Sequence, residues 1–123
     1  MSGSLAYNIY AQNNVEVESP IKLVEMMYEG VLRFNTQAKK AIKEENIEKR
    51  AYWINRSIAV ISELIVTLNH DAGEISAYLE GLYNYQIQLL TQANFDNDET
   101  KIDTVNNVFR GLLEAWRETN GLV

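Results

Sequence analysis

The sequence predicts an all-α fold, an antiparallel up-down four-helix bundle preceded by an N-terminal extended or short-helical arm. Three observations carry this prediction. Apolar residues recur in alternating three- and four-residue steps through four segments, the period of an α-helix with one buried face. No segment shows the strict alternation of a half-buried strand. The links between the four segments are short and polar, so sequence neighbours run antiparallel.

Residues 1–18 form the predicted arm. They are polar with scattered apolar positions, Leu5, Tyr7, Ile9, Tyr10, Val15 and Val17. The bundle domain is assigned to residues 19–120. Ser19-Pro20 opens it, because serine can accept a hydrogen bond from a free helical N–H and proline fits the first helical position. The first helix runs to about Ala41 or Ile42 on Val24, Met27 or Tyr28, Val31, Phe34 or Asn35, and Ala38. Gly30 lies inside it, which close approach of a neighbouring helix explains more simply than a hinge.

Asn46 is the expected cap of a second helix reaching about Asn69. Its stripe is Ile47, Ala51, Ile54, Ile58, Ile61, Ile65 and Leu68, and Trp53, Val60 and Val66 fall outside it. His70 to Gly73 makes a tight connection. A third helix then starts near Glu74 and ends near Asn94, with the seam Ile75, Leu79, Leu82, Gln86, Leu89 and Ala93. Tyr78 lies on one flank of that seam; Tyr83, Ile87 and Leu90 share the other. Thr100 with Asp103 suggests the cap of a fourth helix, which carries Ile102, Val105, Phe109, Leu112 and Trp116 and frays at Gly121.

Composition narrows the function. The chain has 123 residues, no cysteine, one histidine and a formal net charge of -6, which fits one domain without disulfides or thiolate chemistry. The acidic balance disfavours nucleic acid and anionic lipid as partners. No apolar run approaches a membrane helix and no signal peptide is present, so a cytoplasmic protein without membrane insertion is expected. No enzyme or metal site is expected either. His70 has no second histidine or cysteine beside it, and its place at a helix end suits a capping role better than phosphotransfer. Asp96-Asn97-Asp98 lacks the glycine of a calcium loop, Lys101 standing at that place. Asn55-Arg56-Ser57 fits the glycosylation pattern only mid-helix. With neither nucleophile nor phosphate loop, catalysis has no machinery and no cofactor is expected.

What remains is surplus apolar surface, which marks an interaction protein. Tyr83, Ile87 and Leu90 are the expected wall of a groove for a partner helix, and Tyr78 on the opposite flank and Leu82 in the seam are also expected at the partner site. A helical adaptor that dimerises through the same surface is the competing reading.

The residue order resembles the FliS family of flagellin-specific export chaperones. The resemblance rests on Ser19-Pro20-Ile21-Lys22-Leu23-Val24-Glu25-Met26-Met27-Tyr28-Glu29-Gly30, Leu68-Asn69, Gly73-Glu74-Ile75, Leu82-Tyr83-Asn84-Tyr85, Gln92-Ala93-Asn94 and Leu112-Leu113-Glu114-Ala115-Trp116. One departure is Ala72, where the family often has a glycine. The resemblance implies a helical bundle that binds the C-terminal segment of flagellin in the cytoplasm, prevents early polymerisation and aids delivery to the flagellar type III export machinery. It also carries Tyr7 and Tyr10 into the client site. Ile9 joins them through the arm, which can lie over a hydrophobic cleft when no client is bound. Further partners under this resemblance are a co-chaperone, a flagellar regulator or an export-gate component.

Overall fold

The computed structural model describes residues 19–122, and the predicted arm with Tyr7, Ile9 and Tyr10 lies outside them. Four helices follow in order: α1 (Pro20–Lys43), α2 (Ile47–Val66), α3 (Glu74–Asp96) and α4 (Glu99–Thr119), with a 3-10 turn (His70–Ala72) between α2 and α3. No strand occurs among the described residues. α1 packs on α2 and α4, α3 packs on the same two, and the diagonal pairs make no close backbone approach. The ring of four antiparallel neighbours is the predicted bundle.

Local chemistry explains the boundaries. Ser19 Oγ accepts from the Lys22 N–H and Asn46 Oδ1 from the Lys49 N–H, as expected of caps. Asp98, rather than Thr100, caps α4: its carboxylate accepts from both the Thr100 N–H and hydroxyl, which hold its pKa below the ordinary range. α3 outlasts its expected end by two residues and closes on Asn97 in the left-handed region, a conformation asparagine tolerates. Asn97 Oδ1 and Asn94 Oδ1 both accept from Arg50, tying the end of α3 to the start of α2. α2 ends at Val66, earlier than expected, because Asn69 turns back to accept from the Asp71 N–H. Gly73, at φ 72°, supplies the left-handed residue that starts α3.

The core is aromatic at one level and polar at the next. Phe109 is fully buried, stacked on Tyr83 at 6.2 Å and edge-on to Tyr28 at 5.8 Å. The Tyr28 and Tyr83 hydroxyls lie 2.6 Å apart, joining α1 to α3 across the centre of the bundle. Burial raises both phenol pKa values, so the pair stays neutral. Two turns along α1, Asn35 Nδ2 donates to Asn106 Oδ1 at 2.9 Å inside the core. Gly30 is buried in an unbroken α1.

At the other end of α4, Arg117 Nε donates to Glu25 Oε2 at 2.7 Å and Arg117 Nη2 to Glu29 Oε2 at 2.8 Å, while Lys22 Nζ donates to Glu25 Oε1 at 2.6 Å. Trp116 Nε1 adds a bond to the Ile21 carbonyl. The hydrogen bond from Lys22, then that from Arg117, lowers the Glu25 pKa.

The second-helix stripe is broader than the seven-residue seam. Val60 is fully buried and Trp53 packs on the core, whereas Ile47 at the helix start is exposed. A helix in a ring touches two neighbours and therefore buries more than one narrow stripe.

Asn106→Ala removes the acceptor of the buried Asn35 amide and is expected to cost about 1–3 kcal/mol in urea unfolding. Glu25 binds its proton less tightly when folded. Its stabilisation is therefore complete above its unfolded value near 4.5 and is lost as the pH falls through the lower folded value. Unfolding midpoints measured between neutral pH and pH 3 should fall less steeply in Glu25→Gln than in the native chain.

Candidate functional site

The third helix is apolar on nearly every side, and the core claims only one of them. Tyr83 (2% exposed) and Leu90 (0%) are part of that core, so they are not the groove wall expected from the sequence. Ile87 packs against the same core and is only half exposed. The physical reason is the Tyr83 ring: its stacking on Phe109 and its hydroxyl contact with Tyr28 turn this flank of α3 inward.

Rotating that flank inward turns another outward. Ile75 (58% exposed), Tyr78 (65%) and Tyr85 (55%) face solvent, with Leu82 half-buried between them. Their three-four-three spacing places them on one side of the helix over three turns. Tyr78 and Leu82 were expected at a partner site, and the structure brings them together. Ile75, expected in the seam, joins them. Tyr85 was missed, although its spacing from Leu82 continues the same stripe. At the end of the helix Phe95 is exposed as well.

This stripe combines aromatic and aliphatic surface. Two tyrosines offer broad rings with hydroxyls for the wet edge, and Ile75 and Leu82 offer aliphatic surface. No charged residue occupies a stripe position between Ile75 and Tyr85.

Elsewhere the described residues offer little catalytic chemistry. No group of three or more histidine, cysteine, aspartate or glutamate residues could hold a metal ion among them. His70 lies exposed in the 3-10 turn, its Nε2 3.8 Å from Glu80 Oε2. No described helix is long and apolar enough to cross a membrane.

Comparison with known proteins gives this geometry a context. The family model described as "Flagellar protein FliS" matches residues 3–122. The chain is similar to the flagellar secretion chaperone FliS of Campylobacter jejuni, 53% identical over 121 residues, covering 98% of this chain and 94% of that protein. It is also similar to the flagellar secretion chaperone FliS of Bacillus subtilis, 32% identical, covering 91% of this chain and 84% of that one. A crystal structure of a bacterial flagellar chaperone shares the fold with a TM-score of 0.79 at 19% identity, covering 98% of this chain and 99% of the other.

Truncation separates the two flanks of α3. Leu90→Ala should lower stability by about 2–5 kcal/mol in chemical denaturation. Tyr78→Ala and Tyr85→Ala should each stay within about 0.5 kcal/mol of the native chain. The near full-length sequence matches establish that this chain belongs to the FliS family of flagellar export chaperones.

Proposed function

We propose that the flagellar client of this chaperone is flagellin, held through its C-terminal segment in the cytoplasm. Binding keeps that segment from polymerising early and delivers it to the flagellar type III export apparatus. The observation that carries this reading is the solvent-facing stripe Ile75, Tyr78, Leu82 and Tyr85. From Ile75 to Tyr85 it extends about 15 Å along the helix axis, enough for two to three turns of a partner helix.

An amphipathic segment lays its apolar face on such a stripe through anchors three and four residues apart. Ordering a chain that is unstructured alone costs several kcal/mol, so a long apolar contact is required to offset it. In the same reading residues 1–18 form an arm distinct from the bundle of 19–120, with Tyr7, Ile9 and Tyr10 contributing to the client site. No catalytic step is part of this function.

The test is a calorimetric titration of the full chain with the last ~40 residues of flagellin from the same organism, a length that allows several helical contacts. Saturable binding with a negative heat-capacity change and a gain in helical circular dichroism is expected. Tyr78→Asp and Tyr85→Asp should weaken it at least about tenfold by placing a charge on the apolar face. A stable homodimer that the peptide does not open would support the adaptor reading instead.

A further inference from the structure

The end of α4 holds the only Asn-Gly pair in the chain, Asn120-Gly121. The fold explains why glycine stands there. The Leu122 N–H donates to the Arg117 carbonyl at 2.8 Å and the Gly121 N–H to the Glu118 carbonyl at 3.5 Å, the crossed pair of bonds that closes a helix through a left-handed residue. Gly121 is that residue, at φ 66°, where a Cβ is disfavoured. The closing turn therefore places the one residue type without a side chain directly after an asparagine.

That order has a chemical consequence. The carboxamide carbon of an asparagine lies within reach of the next residue's backbone nitrogen, and joining them closes a five-membered ring. A side chain on that next residue obstructs the approach, and glycine has none. In the folded chain the reaction is held back twice. Asn120 Nδ2 donates to the Trp116 carbonyl at 2.9 Å, which turns the carboxamide back along the helix. The Gly121 N–H is directed at the Glu118 carbonyl. Both restraints lie at a helix end and Gly121 is exposed, so they open far more often than the core does.

We propose that Asn120 is a site of self-modification, deamidation through a succinimide, and that the closing turn of α4 sets its rate. When the turn opens, the Gly121 nitrogen gives its proton to water and bonds to Asn120 Cγ. The Cγ–Nδ2 bond breaks, and Nδ2 takes up a proton and leaves as ammonia. Water then adds to one of the two ring carbonyls, its hydroxyl joining the carbon and its proton the nitrogen as the ring opens. Opening at Cγ gives aspartate. Opening at the main-chain carbonyl gives isoaspartate, whose backbone runs through Cγ and is one atom longer.

Either product puts a negative charge on the end of α4, where a helix already carries partial negative charge. Isoaspartate also lengthens the path from Arg117 to Leu122, so the bond between them loses its register. The Arg117 side chain holds Glu25 and Glu29 of α1, and Trp116 bonds the Ile21 carbonyl. The modification therefore loosens the joint between the end of α4 and the start of α1. Neither step depends on the identity of the client.

The full chain is incubated warm at mildly alkaline pH, with and without urea, and peptide mapping by mass spectrometry follows each asparagine. Exchange of the amide NH2 for OH is expected at Asn120 ahead of every other asparagine, with isoaspartate the larger product. It should run at least about tenfold faster in urea, because only the open turn reacts. Arg117→Ala should raise the rate in the absence of urea at least about threefold by freeing the end of α4, with circular dichroism checking that the bundle stays folded. Trp116→Phe, which removes only the bond to Ile21, makes the same test should Arg117→Ala unfold. Modified chains, separated by their extra charge on ion exchange, should melt below unmodified ones. Another asparagine reacting first, equal rates with and without urea, a rate unmoved by loosening the α4 end, or equal melting of modified and unmodified chains would overturn the proposal.

Discussion

Tyr83 sets the rotation of α3, and much of the molecule's surface follows from that rotation. Its ring lies flat on Phe109 of α4 and its hydroxyl meets that of Tyr28 on α1, so a single side chain engages two other helices. A buried phenol needs a hydrogen-bond partner, and Tyr28 is placed to be one. Once Tyr83 points inward, the residue before it is turned by about 100° and the stripe through Ile75, Tyr78, Leu82 and Tyr85 must face away from the centre. The surplus apolar surface is therefore a consequence of core packing, displaced to the opposite flank from the one that spacing suggested.

The polar interior constrains the same arrangement in a different way. Asn35 and Asn106 bond to each other in the core, and a slip of either helix along the other would separate them. The Glu25 and Arg117 contacts hold the opposite end of that helix pair. Buried polar groups contribute modest net energy but penalise wrong registers heavily, so α1 and α4 have one favourable alignment. Against this rigid pair, α2 and α3 present their outer faces.

Those outer faces divide by chemistry. The α3 stripe is uncharged and amphipathic, suited to the apolar side of a helix. Between α1 and α2, by contrast, the guanidinium groups of Arg33 and Arg56 rest on the Phe34 ring.

Much of this was legible in the chain itself. Helix number, the Ser19 and Asn46 caps, the short antiparallel links and the resemblance to the FliS family follow from residue order, because period, capping and motif order are local properties. The direction in which α3 faces is not local. Its residues are apolar on several sides, so three- and four-residue spacing supports more than one seam. Only contact with Tyr28 and Phe109, distant in sequence, selects between them. The same holds between α1 and α2: Arg56 reaches the Phe34 ring only once the two helices have packed.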